Sequence, residues 1–246
     1  VTESLLPGNQ NGLWQSICAF DIDHDGDQDY LVGNWGMNSK FKASQEFPMK
    51  MYHDDFDTND TFETIVAVEK NGKYYTTMGL DELAEEFSGM VKKKFNSYKS
   101  FAGKTLEEVF DPKMLEKAKL YEVHNLKSGY LRNDKGKFTF VPFSNKMQVT
   151  PITSFVKADF DGDRQEEVFV AGNYFGVTPY HSRFDGFSGA LIKNQKTIYL
   201  GNQIGIDLTQ KAVRHLDIIT FNGKKYLLVT INNKKAEVYE LPMTKN

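Results

Sequence analysis

The apolar and polar positions divide this chain into short β-type runs separated by polar turns, with one long exception. Apolar segments at 14–20, 49–52 and 152–156 each lead into a stretch dense in carboxylates. Each of those stretches leads into a second apolar run rich in β-branched and aromatic residues, at 30–32, 64–68 and 168–171. Short runs of this kind bounded by turn residues predict strands, so each unit reads as strand, acidic loop, strand. Asn71-Gly72, Asp134 to Gly136 and Asn222-Gly223 sit between further pairs of such runs and predict hairpins. A last strand is expected over 236–241, after the polar turn at 232–234. The exception is 81–119, where Leu83, Phe87, Val91 and Phe95 recur at helical spacing. Thr105 with Glu108 predicts a capping box, and Asp111-Pro112 predicts a helix start. This stretch reads as a helical insertion between β-units, with Lys92, Lys93 and Lys94 on a solvated face.

The acidic stretches align with one another. In a nine-residue register they are Asp21, Asp23, Asp25, Asp27 and Asp29; Asp55, Asp57, Asn59, Thr61 and Glu63; and Asp159, Asp161, Asp163, Gln165 and Glu167, at positions 1, 3, 5, 7 and 9. Position 2 is apolar each time. The first and third share a further tail, Gly33-Asn34 before Trp35 and Gly172-Asn173 before Tyr174. Such self-similarity points to a repeat architecture.

Carboxylates brought together this closely repel each other, and a bound divalent cation removes that cost. A hard cation takes six to eight oxygens from carboxylates and backbone carbonyls. Side-chain oxygens at positions 1, 3, 5 and 9 with a carbonyl at 7 would supply that shell, and Gly26 at position 6 allows a sharp turn. Calcium is favoured over magnesium because an all-protein carboxylate cage suits the larger ion. Zinc is disfavoured because the loops hold no Cys and only His24. The expectation is calcium in the first and third loops and a further ion in the second. An EF-hand is excluded, since position 12 is Val32, Val66 or Val170 rather than Glu, and the flanks are strand-like.

With these residues in view, the chain resembles the FG-GAP/VCBS repeat family, whose repeat is Asp-x-Asp-x-Asp-Gly-x-x-Asp between two strands. Residues 21–29 match that pattern in full, 159–167 depart from it at positions 6 and 9, and 55–63 depart at 5, 6 and 9. The resemblance implies a mainly β fold of propeller-like blades of antiparallel strands, similar to the integrin α-subunit head. It also implies structural calcium and an extracellular, cell-surface or periplasmic setting, as in large secreted VCBS-repeat proteins of Bacteroidetes-type bacteria. The expected organisation is a single propeller-like domain over 1–246, a fragment or partial propeller, with the helical insertion at 81–119 inside it.

Composition changes this picture little. The 246 residues are 40% hydrophobic and 13% aromatic, which suits a β-rich globular chain. A net charge of −3 gives no footprint for nucleic acid, and no apolar run is long enough for a membrane-spanning helix. The lone cysteine, Cys18, lies in an apolar setting and reads as a packing residue. The start at Val1-Thr2-Glu3 reads as a piece of a longer chain. No serine-hydrolase elbow, zinc-protease helix or phosphate loop is present. A polysaccharide-active enzyme would have to draw on Tyr174, Tyr180, His181 and Arg183 in the stretch 172–189, as base, acid and charge clamp. Those residues read better as turn and rim packing. Recognition of carbohydrate or protein would use Trp14, Trp35, Tyr174 and Phe175. The matching places of Trp35 and Tyr174 after their Gly-Asn pairs favour a shared packing role.

Overall fold

The computed structural model describes residues 8–87, 89–177 and 183–242. Within them the chain is mainly β. The strands before the helical stretch are β1 (Ser16–Ala19), β2 (Tyr30–Gly33), β3 (Met49–Asp54), β4 (Glu63–Lys70) and β5 (Lys73–Thr76). Five short helices follow, α1 (Leu80–Glu86), α2 (Met90–Lys94), α3 (Tyr98–Phe101), α4 (Leu106–Val109) and α5 (Pro112–Lys117). The remaining strands are β6 (Lys119–Val123), β7 (Gly129–Asp134), β8 (Lys137–Pro142), β9 (Ile152–Ala158), β10 (Glu167–Gly172), β11 (Ala190–Ile192), β12 (Ile198–Leu200), β13 (Val213–Phe221), β14 (Lys224–Ile231) and β15 (Glu237–Leu241). All pair antiparallel, in four sheets of order β1-β2-β7-β8, β6-β3-β4-β5, β9-β10-β11-β12 and β13-β14-β15, none closed into a barrel.

The hairpins follow from the turn residues. Asn71 and Gly72 have φ of 54° and 77°, Lys135 and Gly136 52° and 89°, and Asn222 and Gly223 50° and 75°. Paired positive φ is the type I′ signature, whose twist matches that of the flanking strands.

The chain forms two compact units, one built on Gly12–Ser39 and Leu126–Asn246 and the other on Lys40–Asn125 with Asn9–Asn11. In the first, β1 lies against β9 and β9 against β13. Hydroxyls stitch these strands together: Ser16 Oγ donates to the Ile152 carbonyl (2.8 Å) and Thr153 Oγ1 to the Val213 carbonyl (2.7 Å). The close approach explains the repeated glycines. A Cβ on Gly33 would stand 2.2 Å from the Ile152 oxygen, and one on Gly172 2.2 Å from the Pro151 oxygen. Two apolar clusters fill this unit, one around Leu31, Ile152 and Val170 and one around Phe169, Leu216 and Val229.

The second unit packs its helices on the sheet that carries β3 and β4. Leu83, Phe87, Val91 and Phe95 are all buried there with Phe56, Ile65 and Phe110. Gly89, at φ 80°, separates α1 from α2, so the helical stripe is delivered by two short helices. Thr105 and Glu108 cap α4 reciprocally, and Asp111 accepts the Lys113 N–H ahead of Pro112 in α5. Lys92, Lys93 and Lys94 are exposed.

Candidate metal centres

Each acidic loop joins the first two strands of a ladder: 21–29 between β1 and β2, 55–63 between β3 and β4, and 159–167 between β9 and β10. The position-2 residue fastens the loop to the core. Ile22, Phe56 and Phe160 are buried, and Phe56 meets the Phe87 and Phe110 rings at 5.9 and 6.0 Å. Its N–H donates to the position-9 carboxylate, from Ile22 to Asp29 (3.0 Å), Phe56 to Glu63 (2.9 Å) and Phe160 to Glu167 (2.8 Å). Those three carboxylates are themselves buried.

Two further hydrogen bonds repeat in all three loops. The position-6 N–H of Gly26, Asp60 and Arg164 donates to the position-1 carboxylate of Asp21, Asp55 and Asp159, at 3.0 Å each time. The position-7 N–H of Asp27, Thr61 and Gln165 donates to the side-chain oxygen of Asp25, Asn59 and Asp163 at 2.7–2.8 Å.

Tight folding of this kind needs left-handed backbone at two places. Position 4 has φ of 61° (His24), 59° (Thr58) and 82° (Gly162), and position 6 has 93° (Gly26), 63° (Asp60) and 70° (Arg164). The first and third loops each spend one glycine on this, at different positions, and the second spends none. Thr58 is β-branched, so its conformation is the most strained, costing on the order of 1–3 kcal/mol.

Carboxylate oxygens of positions 1, 3 and 9 converge in all three loops. Asp21, Asp23 and Asp29, then Asp55, Asp57 and Glu63, then Asp159, Asp161 and Glu167 each bring one ligand atom within 4.8 Å of the others. These three acidic groups could hold a metal ion. At position 5, Asp25, Asn59 and Asp163 each turn one oxygen to the position-7 N–H. Asp27 sends its carboxylate to the Lys135 N–H (2.8 Å), and Asp29 takes a further N–H from Asn133 (2.7 Å).

Position 3 separates the loops. Asp23 Oδ1, Asp57 Oδ1 and Asp57 Oδ2 are buried with no hydrogen-bond partner, a condition that costs about 1–3 kcal/mol or more for a charged group. Burial raises the Asp23 carboxyl above its usual range, reinforced by Asp29, Asp25 and Asp21. Burial also raises Glu63, against the Phe56 N–H, with Asp57 and Asp55 adding to the rise. In the third loop burial raises Glu167, opposed by the Phe160 N–H and by Lys193. The Lys193 ammonium reaches this loop from the end of β11, and the neighbouring Gln195 Nε2 donates to Asp23 Oδ2 in the first loop (2.9 Å). No spacing rule pointed to Lys193 or Gln195, because they lie outside every acidic motif.

Several of the other sequence candidates lie in ring contacts. Trp35 meets the Tyr174 ring edge-on at 5.6 Å and Phe184 at 5.5 Å, and Tyr174 pairs with Phe184 through the backbone. Arg183 lies 3.8 Å over the Phe175 ring and pairs with Asp185. Trp14 rests its edge against Phe140 at 6.0 Å. Tyr180 and His181 lie outside the described residues. Asn34 and Asn173, ahead of Trp35 and Tyr174, are both buried. Asn173 Nδ2 donates to the carbonyls of Phe187, Leu208 and Lys211 while Oδ1 accepts the Phe187 N–H. Among the described residues no helix is long and apolar enough to cross a membrane. No protein-family model matches the sequence, and no curated protein matches it.

Proposed function

We propose that this chain is a calcium-stabilised module of propeller-like β-repeats that acts outside the cell as a binding or scaffold domain, its metal structural rather than catalytic. The observation that carries the reading is the repeated loop. Three stretches of different sequence share the hydrogen bonds of positions 2, 6 and 7 and converge three carboxylates each, and in two of them position-3 oxygens are buried without a partner. A hard cation with oxygen preference answers that need, and loop sites built from carboxylates and carbonyls suit calcium. Antiparallel ladders whose first strands β1, β9 and β13 lie side by side support the propeller-like reading. The resemblance of 21–29 to the FG-GAP/VCBS repeat supports the extracellular setting, where calcium is plentiful. A protein or carbohydrate ligand would meet the loops joining the strands, since rigid β-scaffolds present their binding residues there.

Thermal melting tests the reading. EDTA is expected to lower the melting temperature, calcium to restore it better than magnesium, and Asp23→Ala to shrink the response. A site loaded at a hundred times its dissociation constant adds about 2.7 kcal/mol to folding stability. A melting temperature indifferent to EDTA, in protein shown by elemental analysis to carry no metal, would remove the calcium reading.

A further inference from the structure

The three loops share a scaffold and differ in what faces their converged carboxylates. In the third, the Lys193 Nζ stands 2.5 Å from Asp161 Oδ2, 3.3 Å from Asp163 Oδ2 and 3.3 Å from Glu167 Oε1. An ammonium has three N–H donors and no acceptor, so one donor is available for each of positions 3, 5 and 9. Position 1 needs none from it, because Asp159 already accepts the N–H groups of Gly162 (2.7 Å) and Arg164 (3.0 Å).

The lysine is also held in place from behind. Its N–H donates to the Thr197 carbonyl (3.0 Å), and Asn194 Oδ1 accepts the N–H groups of Lys196 and Thr197 (3.0 and 2.9 Å). The same turn is tied to the first loop by the Gln195 N–H on the Ile22 carbonyl (3.3 Å). What that turn offers the first loop is a neutral amide on one oxygen of Asp23, leaving the other buried and unpartnered. The second loop receives nothing at Asp57.

We propose that the Lys193 ammonium is the resident cation of the third loop, so that this loop closes without a divalent ion and calcium enters only the first and second. The inference rests on the calcium reading for those two loops. A calcium ion in the third loop would need the same oxygens that the ammonium holds, and would leave a positive charge beside a dication. Lysine at this place makes the third loop permanently formed, while the other two form their full oxygen shells only where the ion is present.

The test counts calcium bound per chain at saturation, by equilibrium dialysis and by native mass spectrometry. Wild type is expected to bind two, Lys193→Met three, and Lys193→Met with Asp161→Asn two again. Three ions in wild type, or an unchanged count in Lys193→Met, would overturn the proposal. If Lys193→Met does not fold, Asp161→Asn alone decides: the count stays at two if the ammonium fills the loop and drops by one if a metal does. A wild type that binds none while Lys193→Met gains one would remove calcium from the first two loops and leave the role of Lys193 standing. No binding in either protein would overturn both.

Discussion

The first and third acidic loops follow nearly the same path and solve the same electrostatic problem differently. Both bury an apolar residue at position 2, both tie its N–H to a buried carboxylate at position 9, and both turn through left-handed backbone at positions 4 and 6. In the third loop the converged carboxylates face the Lys193 ammonium, and in the first a neutral amide meets Asp23 on one oxygen and leaves its other oxygen buried and unpartnered. The shape of such a loop is therefore separable from its charge balance. Backbone donors and one apolar anchor set the shape, while a group from another strand or from solution sets the balance.

The largest effect expected concerns what the loops share. Phe160→Ala should cost about 3–5 kcal/mol by removing a fully buried ring, with or without calcium, as read from urea denaturation in EDTA and in saturating calcium. A loss seen only in calcium would mean that the anchor acts through the metal and the shared scaffold is weaker than its hydrogen bonds imply.

The next effect sharpens the contrast at position 3. In EDTA, Asp23→Ala should raise stability by about 1–2 kcal/mol, since it removes a buried carboxylate oxygen that lacks a partner. Asp161→Ala should lower it by about 1 kcal/mol, because the partly exposed Lys193 loses its nearest carboxylate. Changes of the same sign would erase the distinction between the two loops.

Acidity gives a smaller, graded test. Asp23, Glu63 and Glu167 are all raised, first by burial. A raised carboxyl binds its proton more tightly when folded, so its contribution is complete below the unfolded value and is lost as pH climbs through the folded one. The metal-free protein should gain stability on acidification from neutral toward the ordinary carboxylate range. Below that range Asp207, lowered by its bonds to Thr209, and Glu108, held at about 2 first by the Thr105 N–H, act in the opposite direction. With calcium bound, protons compete with the metal and the upper part of the profile should invert. Melting temperature against pH in EDTA and in calcium reads both.

The smallest effect lies in the second loop, which has no glycine at either left-handed position. Thr58→Gly should stabilise by about 0.5–1 kcal/mol, as relief of a strained β-branched residue exceeds the added unfolded-state entropy. Melting that stays unchanged or falls would show that the conformation at 58 is not under strain.

Much of the local structure was legible in the chain. Asn71-Gly72 and Asn222-Gly223 gave hairpins because positive φ is cheap for those residues. The stripe Leu83, Phe87, Val91 and Phe95 gave a buried helical face because spacing alone places side chains together. The interruption at Gly89 was not legible, since an isolated glycine is compatible with a continuous helix. In the candidate sites, the converging carboxylates followed from short-range spacing, but glycine proved a poor guide. Left-handed turns occur at positions 4 and 6 in all three loops, at Thr58, Asp60 and Arg164 as well as at Gly26 and Gly162. At position 6 the N–H bond to the position-1 carboxylate, from Gly26, Asp60 and Arg164 alike, holds the turn whatever the residue's propensity.

By itself the sequence determined the strand-loop-strand units, the anchor at position 2 and the placement of carboxylates at 1, 3 and 9, because each depends on residues within one nine-residue window. The tertiary structure alone decided which carboxylates gain a side-chain partner from another strand. Lys193 meets Asp161 and Glu167, and Gln195 meets Asp23, only because β11 pairs beside β10 and its closing turn reaches both loops. Electrostatic compensation acts through space across neighbouring strands, and distance along the chain carries almost no record of it.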